Sequence, residues 1–143
     1  MMTRRSVRHV STVIEIIGLA VWVEVTLRRR PFEWILDQVA RTVPRSTNPQ
    51  HLPTPTIERV IRLVYRLLPF EATCLKHSLI FCVVRRRRGL PGELRIGVQK
   101  TDGVFAAHAW VEDGHGHVLT DPQEGFSPVP LPQAPIPGER ASD

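Results

Sequence analysis

Apolar residues run almost unbroken through 10–27. They then recur at three- and four-residue spacing, first at Trp34, Ile35 and Val39, then at Ile57, Val60, Ile61, Val64, Leu67 and Leu68. That period belongs to helices with one buried face. In Thr12-Val13-Ile14-Glu15 a Thr side chain and a Glu three residues on can satisfy each other's free backbone donors, which predicts a first helix over 13–29. Pro31 and Pro44 bracket a second, over 32–41. Thr54 as N-cap and Pro55 at the first helical position open a third, decorated outside by Glu58, Arg59, Arg62 and Arg66 and ended before Pro69. A fourth is expected over 74–88, with Gly89 as its C-terminal cap and Pro91 beyond.

From Glu93 the period falls to two, with Leu94, Ile96 and Val98 on one face and Arg95, Gly97 and Gln99 on the other. Asp102-Gly103 predicts a tight hairpin that sets Val98 opposite Ala107, Ile96 opposite Ala109, Leu94 opposite Val111 and Gly97 opposite His108. A second turn, centred on Gly114-His115, pairs Val111 with Val118, Trp110 with Leu119 and His108 with Asp121. The proline-rich chain beyond Pro122 reads as an irregular wrap anchored by Phe126. The expectation is one α+β domain in which N-terminal helices and a central helix pack on a small antiparallel sheet. It divides into a helical segment over 1–50 that could bind a partner, a core over 51–125 and a tail over 126–143.

A chain of 143 residues with 42% hydrophobic content supports one core of ordinary size. Cys74 and Cys82 lie on one helix and are poorly placed to bridge, so reduced thiols and a cytoplasmic setting are expected. The apolar N-terminal run resembles a signal sequence or a membrane span. Glu15 and Glu24 inside it argue against both, each costing roughly 2.5–3.5 kcal/mol near a bilayer centre, and no small-residue cleavage site follows. A core or partner-facing helix fits better than membrane association. The net charge of +5 comes almost wholly from arginine, clustered at 28–30 and 85–88 where helices end. Such clusters complement helix dipoles as solvated ends. They also suit an acidic peptide or protein partner. Nucleic acid is not expected, because no interleaved aromatics accompany the charge.

The predicted second hairpin puts His108 and Asp121 on one face at a Cβ separation of about 4.5–5.5 Å, where a carboxylate can orient an imidazole. Cys74 opens the fourth helix, and a helix N-terminus with a nearby imidazolium lowers a thiol pKa from about 8.5 to roughly 3.5–7.5. Its own N–H is a natural oxyanion donor. Gly97 beside His108 leaves room for a nucleophile or substrate, and Trp110 is expected next to the site. The bland readings stand beside these. A cysteine in an apolar helix is commonly a small core residue, which fits Cys82, and a strand histidine is commonly structural. His115 and His117 belong to an exposed turn. Cys74 and His77 with His108 and either Asp121 or His117 could also form a zinc site, without the paired spacing that makes such sites specific. His77 could act as base, but with no orienting acid in view it reads as a substrate contact or a surface residue.

The strings Cys74-Leu75-Lys76-His77-Ser78-Leu79, Arg87-Arg88-Gly89-Leu90-Pro91-Gly92-Glu93-Leu94 and Phe105-Ala106-Ala107-His108-Ala109-Trp110-Val111-Glu112 resemble the stand-alone leader peptidases of lasso-peptide biosynthesis, over about residues 55–122. The resemblance implies a papain- or transglutaminase-like core with Cys74, His108 and Asp121 as a catalytic triad and no cofactor or metal. It implies a cytoplasmic bacterial cysteine protease that removes the leader from a ribosomal precursor peptide. A separate leader-recognition element would deliver the precursor, and an ATP-dependent, asparagine-synthetase-like cyclase would close the freed core. The family usually carries Arg where His77 stands. Two other classes remain open: an acyltransferase or transglutaminase with the same triad, and a non-catalytic basic interaction module with a Cys/His zinc site.

Overall fold

The computed structural model describes residues 3–45, 52–120 and 125–131. Four helices precede three antiparallel strands: α1 (Arg4–Arg29), α2 (Phe32–Ala40), α3 (Thr54–Leu67), α4 (Cys74–Arg87), β1 (Glu93–Thr101), β2 (Val104–Glu112) and β3 (Ser127–Val129). This is the expected α+β arrangement. Every residue of α4 from Ser78 to Val84 is buried, and a helix that is apolar all round belongs at the centre of a fold. Around it pack Ile16, Ala20 and Val23 of α1, Ile35 and Val39 of α2, Ile57, Ile61 and Val64 of α3, and Val111 of β2.

The start of α1 differs from the sequence reading. The helix begins at Arg4 with Thr3 as N-cap, so Thr12 and Glu15 lie inside it and form no capping box. Thr12 Oγ1 donates to the Arg8 carbonyl at 2.8 Å and accepts from Arg88 Nη2 at 3.1 Å. Glu15 is 3.2 Å from both Arg87 and Arg88. Guanidinium groups from the end of α4 supply partners that a cap would otherwise provide, and the helix runs on toward the N-terminus. The arginines at 85–88 are therefore half-buried structural donors, Arg85 to the Pro91 carbonyl and Arg86 to the Gly92 and Ala40 carbonyls, and not solvated ends. Helix α1 is long and apolar enough to cross a membrane, with mean hydropathy 1.9 in an 18-residue window within Ser6–Arg29, yet both of its acidic side chains are ion-paired to α4.

Helix α4 ends as predicted. Gly89 takes φ 74°, the Leu90 N–H reaches the Arg85 carbonyl and the Gly89 N–H reaches that of Arg86, which closes a Schellman motif. The β1–β2 register is also as predicted, including Gly97 opposite His108.

The second turn is not. Gly114, His115 and Gly116 form a three-residue loop, closed because Gly116 adopts φ 81° and the Asp113 carboxylate accepts from the His115 and His117 N–H groups. The longer loop pairs Glu112 with Val118, one residue away from the expected Val111–Val118 register. Asp121, whose pairing with His108 was drawn from that register, lies outside the described residues. Beyond it, β3 pairs on the free edge of β1 with Pro128 opposite Gly97. An edge strand tolerates a residue without an N–H, and the prolines that suggested an irregular wrap concealed it.

Candidate active site

Thr73 caps α4 by accepting the Lys76 N–H on Oγ1 at 3.3 Å, while its carbonyl takes the His77 N–H at 3.0 Å. Cys74 is the first helical residue and is exposed. By helix geometry the N–H groups of Cys74 and Leu75 have no carbonyl within α4, so they face outward at the positive end of its dipole.

Helix α4 is fastened to β2 next to the histidine. Ser78 Oγ donates to the Ala109 carbonyl at 3.2 Å in the interior, and Thr120 Oγ1 accepts the Val111 N–H at 2.9 Å. The result is a cleft of about 190 Å3 lined by both Cys74 and His108, with His77, Ser78, Ala109 and Thr120, and with Glu58 and Arg62 from α3. Glu58 and Arg62, expected on the outer face of α3, line the cleft instead, and Ser78 and Thr120 join them without any spacing that marks them in the sequence. Ser78, polar within an apolar run, was the one visible signal.

His108 is half-buried between two rings. Trp110 stacks at 6.2 Å between centroids with planes 20° apart, and Phe126 lies at 5.4 Å. Gly97 does not leave substrate space as expected. A Cβ there would come within 2.8 Å of the Trp110 ring and 3.0 Å of Phe126, so the missing side chain lets two aromatics close over the strand. Trp110 is buried and donates Nε1–H to Glu112 at 2.9 Å. Trp110 thus lies against the imidazole, and Gly97 opposite it lets the ring approach the strand.

His77 does line the cleft. Its ring stacks on Phe81 with centroids 6.4 Å apart, and burial, aided by the Arg62 cation, pulls its pKa down to about 4. It is a neutral wall at physiological pH. Burial pushes the Cys82 thiol up to about 12, as expected of a core cysteine. His117 is exposed and sits 3.0 Å from Asp113. Among the described residues no three His, Cys, Asp or Glu side chains are disposed to hold a metal.

A cysteine at a free helix N-terminus sharing a cleft with a strand histidine is the arrangement of thiol-dependent acyl chemistry. Comparison with known families agrees, since the model described as "Transglutaminase-like superfamily" matches residues 19–130. The chain belongs to the transglutaminase-like superfamily. Its members are generally cysteine-dependent enzymes. The match runs from within α1 to the end of β3, so it takes in Cys74, His108 and the position of Asp121. No curated protein and no solved structure matches the chain.

Proposed function

We propose that this transglutaminase-like chain is a cysteine endopeptidase of the bacterial cytoplasm that removes the leader from a lasso-peptide precursor. The observation that carries the reading is the cleft shared by Cys74 and His108 at the open end of α4. His108 takes the thiol proton as Cys74 Sγ attacks the scissile carbonyl, and the developing oxyanion is received by the Cys74 N–H. His108 then returns the proton to the leaving amine. Water resolves the thioester, with His108 again as base, and releases the free carboxylate of the leader. Asp121 is assigned the orienting role on the strength of the family resemblance.

A cleft of about 190 Å3 accommodates little more than the residues at the cut. Delivery of the leader by a separate recognition-element protein, and consumption of the freed core by an asparagine-synthetase-like cyclase, fit that small site. The test is mass spectrometry of a precursor incubated with this chain and the recognition element. A single cut that adds one water, lost in Cys74→Ala and His108→Ala with folding retained, is expected. Continued cleavage by Cys74→Ala would sink the reading, and a product heavier by an amine acceptor would make the enzyme an acyltransferase.

A further inference from the structure

At the far end of α4 from Cys74 a larger hollow, about 800 Å3, opens between α1 and α2. Ile14, Leu19 and Trp22 contribute apolar lining, and Arg41, Arg45 and Arg87 cationic lining. Two independent observations bear on what it holds.

The first is an excess of donors. Arg87 and Arg88 each approach the Glu15 carboxylate at 3.2 Å and Arg45 at 3.7 Å. Arg88 also donates to Thr12 Oγ1 and to the Val84 carbonyl, whereas Arg87 and Arg45, with five N–H donors each, share the Glu15 carboxylate as their acidic partner. The Glu15 side chain is only 9% exposed, whereas that of Arg45 is 62% exposed, so the surplus charge is on the solvent side. Arg41 is matched by Asp37 at 2.8 Å and adds none.

The second is Gly18, which lines the same hollow in the middle of α1. Glycine inside a helix costs about 1 kcal/mol relative to alanine. Among the described residues a Cβ at Gly18 would meet no atom within 4 Å, so nothing in the surrounding structure requires its absence. The bare backbone here leaves room for a chain to come close from outside.

We propose that the hollow is an exosite for an acidic, apolar segment of the peptide substrate. Its backbone crosses Gly18, an apolar side chain rests against Leu19 and Trp22, and a carboxylate is taken by Arg45 and Arg87. The identity of the occupant as substrate rests on the peptidase reading above. The geometry suits it: α4 has 14 residues, which at 1.5 Å each separates hollow and cleft by about 20 Å. About six extended residues bridge that span. The catalytic cleft is smaller than the roughly 300–1,000 Å3 of ordinary ligand pockets and the hollow falls within that range, so discrimination among peptides belongs to the hollow.

The experiment is fluorescence anisotropy on the full chain with a fluorescein-labelled octapeptide of leucine and glutamate, beside its leucine and lysine counterpart. The acidic peptide should bind about tenfold or more tightly than the basic one, and less so in high salt. Gly18→Leu, which fills the hollow with a better helix former, and Arg45→Glu should each weaken it about tenfold, with circular dichroism unchanged. Equal affinity for both peptides, or no effect of either substitution, overturns the proposal. So does tighter binding after truncation beyond Leu131, which would make the chain's own tail the occupant. Self-association abolished by Gly18→Leu would make it a second copy, with the same consequence. The readout is binding, so a precursor that is cut while the acidic peptide fails to bind sinks the exosite alone. Peptide that binds where no precursor is cut sinks the peptidase reading alone.

Discussion

Lys76 Nζ lies 2.7 Å from Glu24 Oε2, joining the first turn of the Cys74 helix to α1 through side chains that are 14% and 7% exposed. Arg28 holds the other Glu24 oxygen at 2.8 Å, and Lys76 also donates to the Glu71 carbonyl at 3.0 Å. Together with Glu15 at the opposite end of α4, this pair fixes α1 antiparallel along the central helix and sets the position of its N-terminus. The hydrogen-bonding Lys76 ammonium is the main influence holding the Glu24 carboxyl below its usual range, against the opposing effect of burial.

Removing one member of such a pair leaves a poorly compensated charge. Lys76→Met is expected to lose about 2–4 kcal/mol, less than a fully orphaned ion because Arg28 remains. Adding Glu24→Gln should recover part of that loss, since the stranded charge is then gone. The depressed carboxyl pKa means that the pair stabilises above the ordinary carboxylate range and fades as pH falls through the lowered value. Urea unfolding of the two variants checks this, and a double variant weaker than Lys76→Met would contradict it.

Gly97 tests the aromatic support of the imidazole. In Gly97→Ala the new Cβ meets the buried Trp110 ring at 2.8 Å, and neither ring nor backbone can yield freely. A loss of about 1–3 kcal/mol is expected, typical of overpacking. Displacing Trp110 also shifts His108, so cleavage should fall by more than the folded fraction does. Phe126→Ala removes the other ring against His108 and should lower activity with a smaller stability cost. Thermal unfolding beside single-turnover cleavage separates the two effects.

The thiols differ in the way their environments require. Cys74 is exposed and Cys82 is buried with its pKa raised to about 12, so a disulfide reagent should titrate one thiol in the folded chain and both in denaturant. Cys74→Ala should abolish the native reaction. Equal labelling of both thiols in the folded state would mean that α4 is not the enclosed central helix.

What was legible in the sequence followed local rules. Gly89 ends a helix, Asp102-Gly103 turns a hairpin, and alternation from Leu94 fixes its register, because each acts within a few residues. What was not legible depended on distant partners. Thr12 and Glu15 looked like a cap until guanidinium groups from α4 were beside them. The second turn lengthened by one residue because Asp113 and Gly116 act together. The pairing of Gly97 with His108 was readable, but not that Trp110 and Phe126 would close over the glycine, since nothing local says which ring fills an empty place.

His77 makes the strongest pH prediction. Its ring lies against Phe81, and its Nε2 is buried without a hydrogen-bond partner among the described residues. Burial, then the Arg62 cation, lowers its pKa from the ordinary 6.5 to about 4. Between those values the unfolded chain binds a proton that the folded chain refuses, so stability rises with pH through the window and is lost as pH falls from 6.5 toward 4. The full effect is roughly 3 kcal/mol, and above neutrality none of it is felt. His77→Phe keeps an aromatic ring against Phe81 and carries no titrating proton. Its urea midpoint should therefore match the parent more closely near pH 5 than at pH 7.5, or exceed it there. If the parent's midpoint is as sensitive to acid after the substitution as before, the acid sensitivity comes from another group and His77 is not the buried neutral wall of the cleft.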